Sequence, residues 1–124
     1  MEVRVKSHID LDVWKFSMDL VGEIYRISGT FPSSEVYGLT SQIRRAAVSV
    51  PSNIAEGAAR QGHKEFIQFL YISLGSLSEV ETQIILAYRL HYLSGIDTIM
   101  ERITQIKKML NGLIAHQKRK GKTP

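Results

Sequence analysis

From Asp12 onward, Val13, Phe16, Leu20, Ile24 and Ile27 recur at three- and four-residue steps, with Trp14, Met18, Val21 and Tyr25 forming a second seam beside them. This spacing predicts a helix over 12–28 with a broad buried face. Asp10 or Asp12 is the expected N-terminal cap, and Gly29 the left-handed residue that ends the helix before Phe31 and Pro32. After the turn-rich "PSSEVYGLTSQ", a second stripe runs through Leu39, Ile43, Ala47, Val50, Ile54 and Ala58, predicting a helix from about Leu39 to Arg60. Small residues beside it, Ala46, Gly57 and Ala59, would let another helix come close. Pro51 lies inside this helix, has no N–H to donate and crowds the carbonyl four residues back, so a kink is expected there.

The third segment restarts at "GHKEF", where Gly62 can cap and Glu65 can reach back to the cap. Its helix, about 63–93, is apolar nearly all round, so it needs cover on more than one side. In a chain of 124 residues the second cover is expected to be another subunit. Ser94 and Gly95 end it. The fourth helix carries Ile96, Ile99, Ile103, Ile106, Leu110 and Leu113 in a narrow seam, backed by Glu101, Arg102, Lys107 and Lys108. No segment reads as a strand. The expected fold is all-α: an antiparallel up-down four-helix bundle with helix two kinked at Pro51, assembling as a homo-oligomer. Residues 1–117 form the bundle domain and 118–124 a basic, flexible C-terminal tail.

Charge changes this picture little. The formal net charge is +4, but the tail holds Lys118, Arg119, Lys120 and Lys122, and the rest of the chain has 12 basic against 12 acidic residues. No long uncharged apolar run is present, and "MEVRVKSHIDLD" lacks the basic start and apolar core of a signal peptide, so a cytoplasmic protein with no membrane role is expected. There is no cysteine, which removes disulfides, thiolate zinc sites and thiol nucleophiles together.

Candidate chemistry is sparse. None of His8, His63, His91 and His116 follows a carboxylate by three, and no two stand four apart, so the helical di-iron and zinc pairs are absent and no metal or cofactor is expected. "GAARQGHK" has the glycine spacing of a phosphate loop but puts His63 in the lysine position, and no strand leads into it. No two glycines lie four apart, as a nucleophile elbow requires. What remains is polar residues on or beside apolar stripes: Asn53, Glu56, Glu81 and Gln83. Glu56 and Glu81 could act as a general acid/base pair, but the favoured reading is a structural polar layer that fixes helix register and subunit contacts. A buried Glu81 should then meet an arginine, an amide or free helix N–H groups. The carbonyls around Pro51 need donors that arginine or asparagine can supply.

The stretches "DLDVWKFSMDLVGEIY", "FPSSEVYGLTSQIRRAAVSVPSNIAEG" and "KEFIQFLYISLGSLSEVETQ" together resemble the bacterial four-helix-bundle proteins first met as open reading frames in intervening sequences of large-subunit ribosomal RNA genes. The likeness covers roughly residues 10–95, and Gly62 departs from it where the family often has Ser or Thr. It implies a ring-like homopentamer. The chain is also similar to the accessory protein of diversity-generating retroelements, a basic pentameric bundle that associates with reverse transcriptase and nucleic acid. The leading expectation is a non-enzymatic homo-oligomeric scaffold that binds RNA or DNA weakly through Arg44, Arg45, Arg60, Lys64, Lys118, Arg119, Lys120 and Lys122. The alternative is a protein-partner adaptor with no nucleic-acid role, in which Arg44 and Arg45 face Glu56 or Glu81.

Overall fold

The computed structural model describes residues 8–121. Its four long helices are α1 (Asp12–Ser28), α2 (Leu39–Ala58), α3 (His63–Arg89) and α4 (Asp97–Gly121), with short 3-10 turns at His8–Asp10 and Ser33–Glu35. Among the described residues there is no strand. α1 packs on α2 and α4, and α3 on α2 and α4, while the backbones of the diagonal pairs stay apart. One core fills the space between them, built on Leu20, Ile24, Ile43, Ile54, Leu77 and Ile103 among others. No helix among the described residues is long and apolar enough to cross a membrane.

The α1 stripe differs from the expected one. Its buried residues are Val13, Ser17, Leu20, Ile24 and Ser28, while Phe16 is 39% exposed. Two serines take core positions because their hydroxyls are satisfied locally: Ser17 Oγ donates to the Val13 carbonyl at 2.7 Å, and Ser28 Oγ accepts from Arg44 at 2.8 Å. In α4 the buried line is Ile99, Ile103, Ile106, Leu110, Ile114 and Gln117, so the last turns shift by one residue from the expected Leu113. A straight helix at 3.6 residues per turn drifts away from a strict seven-residue repeat.

Helix ends depart from expectation as well. Leu11, without a side-chain bond, stands at the α1 N-cap, and Gly29 closes α1 with a right-handed φ of −65°. Gly62 is the α3 N-cap, but Glu65 stands 4.0 Å from Arg60 instead of reaching back. α3 stops at Arg89, earlier than 93, because His91 adopts the left-handed conformation (φ 65°). Its N–H bonds the Tyr88 carbonyl, and the Tyr92 N–H bonds the Ala87 carbonyl, which closes the helix in a Schellman turn. A histidine does this where glycine is the usual residue, so the sequence carries no obvious stop signal there. α4 continues through Lys118, Arg119 and Lys120 to Gly121, where a flexible tail from 118 was expected. Lys122 lies outside the described residues.

α2 and α3 make the closest approach. A Cβ on Gly57 would stand 2.7 Å from Phe69 Cβ and 2.9 Å from Phe66 Cδ1, which no real side chain tolerates. Ala46, about three turns earlier in α2, is buried, whereas Ala59 is exposed. Pro51 lies inside α2 and is buried. Carbonyls on either side of the ladder near it are met by side chains: Asn53 Nδ2 donates to the Ser49 carbonyl at 2.8 Å, and Ser73 Oγ to the Val50 carbonyl at 2.9 Å.

Candidate nucleic-acid interface

The basic residues singled out above separate into two groups at opposite ends of the molecule. Residue pairs fix the ends. Arg44 at the start of α2 meets Tyr25 and Ser28 at the close of α1, whereas Gly57 at the close of α2 meets Phe66 and Phe69 near the start of α3. The α3 start meets the α4 close, where His63 Nδ1 donates to Gln117 Oε1 at 2.5 Å.

At the first end, Arg44 is half-buried and fully engaged. Its Nε donates to Ser28 Oγ at 2.8 Å, its Nη2 to the Tyr25 carbonyl at 3.1 Å, and its guanidinium lies 4.6 Å from the centre of the Tyr25 ring. A cation on the last carbonyls of a helix offsets the negative end of its dipole, and here it adds a further bond to a Tyr25 carbonyl that already accepts the Gly29 N–H at 3.2 Å. Arg44 therefore faces neither phosphate nor glutamate: it ties α2 to the end of α1. Arg45, one residue on, points outward and has no partner among the described residues.

The same end holds a second tie. Tyr92 packs on Phe31 with ring centres 5.6 Å apart, and its hydroxyl donates to Glu35 Oε2 at 2.8 Å. The other Glu35 oxygen accepts the N–H of Leu39, the first residue of α2, at 3.2 Å. The bond to Glu35, then burial, then the repulsion between carboxylate and phenolate hold the Tyr92 phenol above its ordinary pKa. Neither Glu35 nor Tyr92 was identifiable from spacing, because both lie in segments between the helices.

At the opposite end, His63 stands against the last turns of α4, with Arg60 and Lys64 on either side of it in sequence. Arg60 lies 5.0 Å over the Phe69 ring, and Lys118 Nζ donates to the Tyr71 hydroxyl at 3.0 Å. Lys64 and Lys120 are exposed without partners among the described residues, and Arg119 is exposed on the same turns. The start of α3 is the positive end of a helix dipole, so Lys64 and Arg60 add to a field that already favours anions. Lys118, Arg119 and Lys120 also offset the negative end of α4, worth about 0.3–1 kcal/mol each to an exposed helix.

The expected polar layer is not one connected group. Asn53 Nδ2 bonds Ser49, whose Oγ lies 2.8 Å from Ser76 Oγ, forming a chain of polar groups across the α2–α3 contact. Glu81 lies on the α4 side of α3 and accepts from Lys107 Nζ at 2.8 Å, both side chains being about 30% exposed (28% and 30%). Its partner is thus a lysine on what read as the outer back of helix four. A pair this exposed contributes at most about 1 kcal/mol. Glu56 is exposed, and Gln83 is buried with no donor at its Oε1. None of the four bonds another, and Glu56 and Glu81 do not converge as an acid/base pair. Ser49, Ser73 and Ser76 carry the interface instead, and Ser73 was readable because it falls on the core spacing between Leu70 and Leu77. Among the described residues no group of three or more histidine or carboxylate side chains could hold a metal ion.

The family model of the 23S rRNA-intervening sequence protein matches residues 9–112. The chain belongs to that family. The match takes in all of α1, α2 and α3 and most of α4, ending before the Lys118–Lys120 turn. The comparison with curated proteins gave no match.

Proposed function

We propose that the protein is a non-enzymatic, homo-oligomeric scaffold built on an antiparallel up-down four-helix bundle, with weak RNA or DNA binding at its basic end. The pairing of Ser28 with Arg44, Ser49 with Ser76, and Glu81 with Lys107 supports the alternating helix directions. Pro51 inside α2 supports a bend there. Family resemblance and the exposed apolar residues of α3 support self-assembly, with a pentamer as the expected number.

The observation that carries the nucleic-acid reading is that Arg60 in the α2–α3 turn, Lys64 at the start of α3, and Lys118 and Lys120 at the close of α4 share one end of the molecule, where His63 meets Gln117. These are long cations on an exposed surface, Lys64 and Lys120 without partners among the described residues and Arg60 standing 4.0 Å from Glu65, which suits a phosphate backbone and no particular base. If the four make phosphate contacts, affinity should fall roughly a hundredfold between about 50 and about 200 mM salt. A variant with all four replaced by alanine should keep its helix content and lose both the affinity and most of the salt slope. Binding unchanged by that variant, measured by fluorescence anisotropy on a labelled oligonucleotide, would favour the protein-partner adaptor.

A further inference from the structure

α3 carries more than its core stripe. Beside Leu70, Ser73, Leu77, Val80, Ile84 and Ala87 runs a second heptad-spaced series: Ile72, Ser76, Glu79, Gln83, Leu86 and Leu90. The Ser49–Ser76 bond puts this series on the α2 flank of α3. Ile72 is 50% exposed, and Leu86 and Leu90 are 44% exposed. Glu79 stands among them, exposed and without a partner among the described residues. Below it Gln83, 7% exposed, has an acceptor that no donor meets. Gly75, between Ile72 and Glu79, has nothing within 4 Å of where a Cβ would stand. Mid-helix glycine is unfavourable, and nothing in the single chain accounts for it. The open space there leaves room for another helix to come close.

A complementary surface lies between α1 and α2. Two shallow depressions join at Val48, one bordered by Tyr25, Val36 and Arg45, the other by Trp14, Met18 and Val21. No carboxylate lines either. Arg44 is held by Ser28 and Tyr25, so Arg45 is the unengaged cation of the trough. Thus one face of the chain is an apolar ridge with an acidic centre, and another is an apolar trough with a basic residue on its rim.

Resting on the homo-oligomer reading, we propose that a second copy of this chain occupies the trough: the ridge of Ile72, Glu79 and Leu86 from one protomer seats between α1 and α2 of the next, with Glu79 meeting Arg45. The two faces differ, so the contact is head-to-tail and each protomer uses both. Burying Ile72 and Leu86 against Met18, Tyr25 and Val48 removes apolar surface from water on both sides. The Glu79–Arg45 pair sets the register and disfavours the ridge meeting its own copy, where two Glu79 side chains would repel.

The chain has no cysteine, which allows a clean test. Equal amounts of Glu79→Cys and Arg45→Cys chains are mixed under mild oxidation, with light scattering run in parallel. The expected product is a disulfide between the two variants, exceeding either self-linked species. Dominant linkage of Glu79→Cys to itself would overturn the head-to-tail contact. Assembly without any cross-link would overturn these two faces while leaving the homo-oligomer reading standing. A monomer at micromolar concentration would overturn that reading itself. Independently, Glu79→Arg should raise the concentration needed for assembly at least about tenfold with helix content unchanged, and adding Arg45→Glu should restore it. Assembly unaffected by Glu79→Arg would overturn the pairing.

Discussion

The two ends of the molecule use similar residues for opposite purposes. At the end formed by the close of α1, the start of α2 and the close of α3, every strong polar group named above except Arg45 is spent on the fold. Arg44 ties helices, Glu35 takes an α2 N–H and the Tyr92 hydroxyl, and His91 turns the chain. At the end formed by the start of α3 and the close of α4, Lys64 and Lys120 have no partner among the described residues, and Arg60 and Lys118 rest their charged groups on the rings of Phe69 and Tyr71 without tying one helix carbonyl to another. A cation's meaning depends on whether a helix carbonyl lies within its reach. Arg44 and Arg45 are adjacent in sequence, yet only one has a carbonyl to bind.

This contrast can be broken by substitution. Arg44→Ala should show the largest stability effect, a loss of about 2 kcal/mol in chemical denaturation, since it removes two charge-assisted bonds and strands Ser28 Oγ without its donor. Arg45→Ala, and Lys64→Ala with Lys120→Ala at the other end, should each stay within about 0.5 kcal/mol of the parent. Equal losses from Arg44→Ala and Arg45→Ala would erase the distinction drawn between them. His91→Gly should stabilise the tied end by about 1 kcal/mol, because glycine reaches the left-handed region without the strain that a Cβ imposes. Its test is a rise in the same denaturation midpoint.

The smallest effect is confined to alkaline pH. The Tyr92 phenol is raised in the fold, so it loses its proton less readily there than in the unfolded chain. Its contribution is complete below the ordinary phenol pKa of about 10 and is lost as pH climbs through the raised folded value. Tyr92→Phe should flatten the decline in stability between about pH 9 and about pH 11, measured against the parent. An unchanged alkaline slope would mean that the Glu35 bond does not survive in solution.

Much of the candidate interface was visible as residue types and little of it as grouping. Arg60, Lys64 and the Lys118–Lys120 run are plain in the sequence, but their meeting depends on α4 running back along α3 until Gln117 reaches His63. The role of Arg44 was not readable, since its acceptors lie sixteen and nineteen residues away on another helix. Glu81 was expected to be a buried carboxylate that meets an arginine, an amide or helix N–H groups, but it is partly exposed and meets a lysine. The partner was missed because Lys107 sits on a face that, by period alone, looks solvated.

Hydrophobic periodicity by itself determined the number of helices, their order and most of their length, because a 3.6-residue repeat of apolar side chains marks a segment that buries one side as a helix. Local chemistry carried less. Gly29 and Gly95 looked like helix stops, yet α1 closes in right-handed geometry and α3 ends at a histidine, since a turn can be imposed by packing such as Tyr92 on Phe31. Only the tertiary structure decided which polar residues are structural and which remain available. That choice depends on the distance between side chains far apart in sequence, because a hydrogen bond is lost once its partners are more than about 3.5 Å apart, whereas hydrophobic burial needs only the right face.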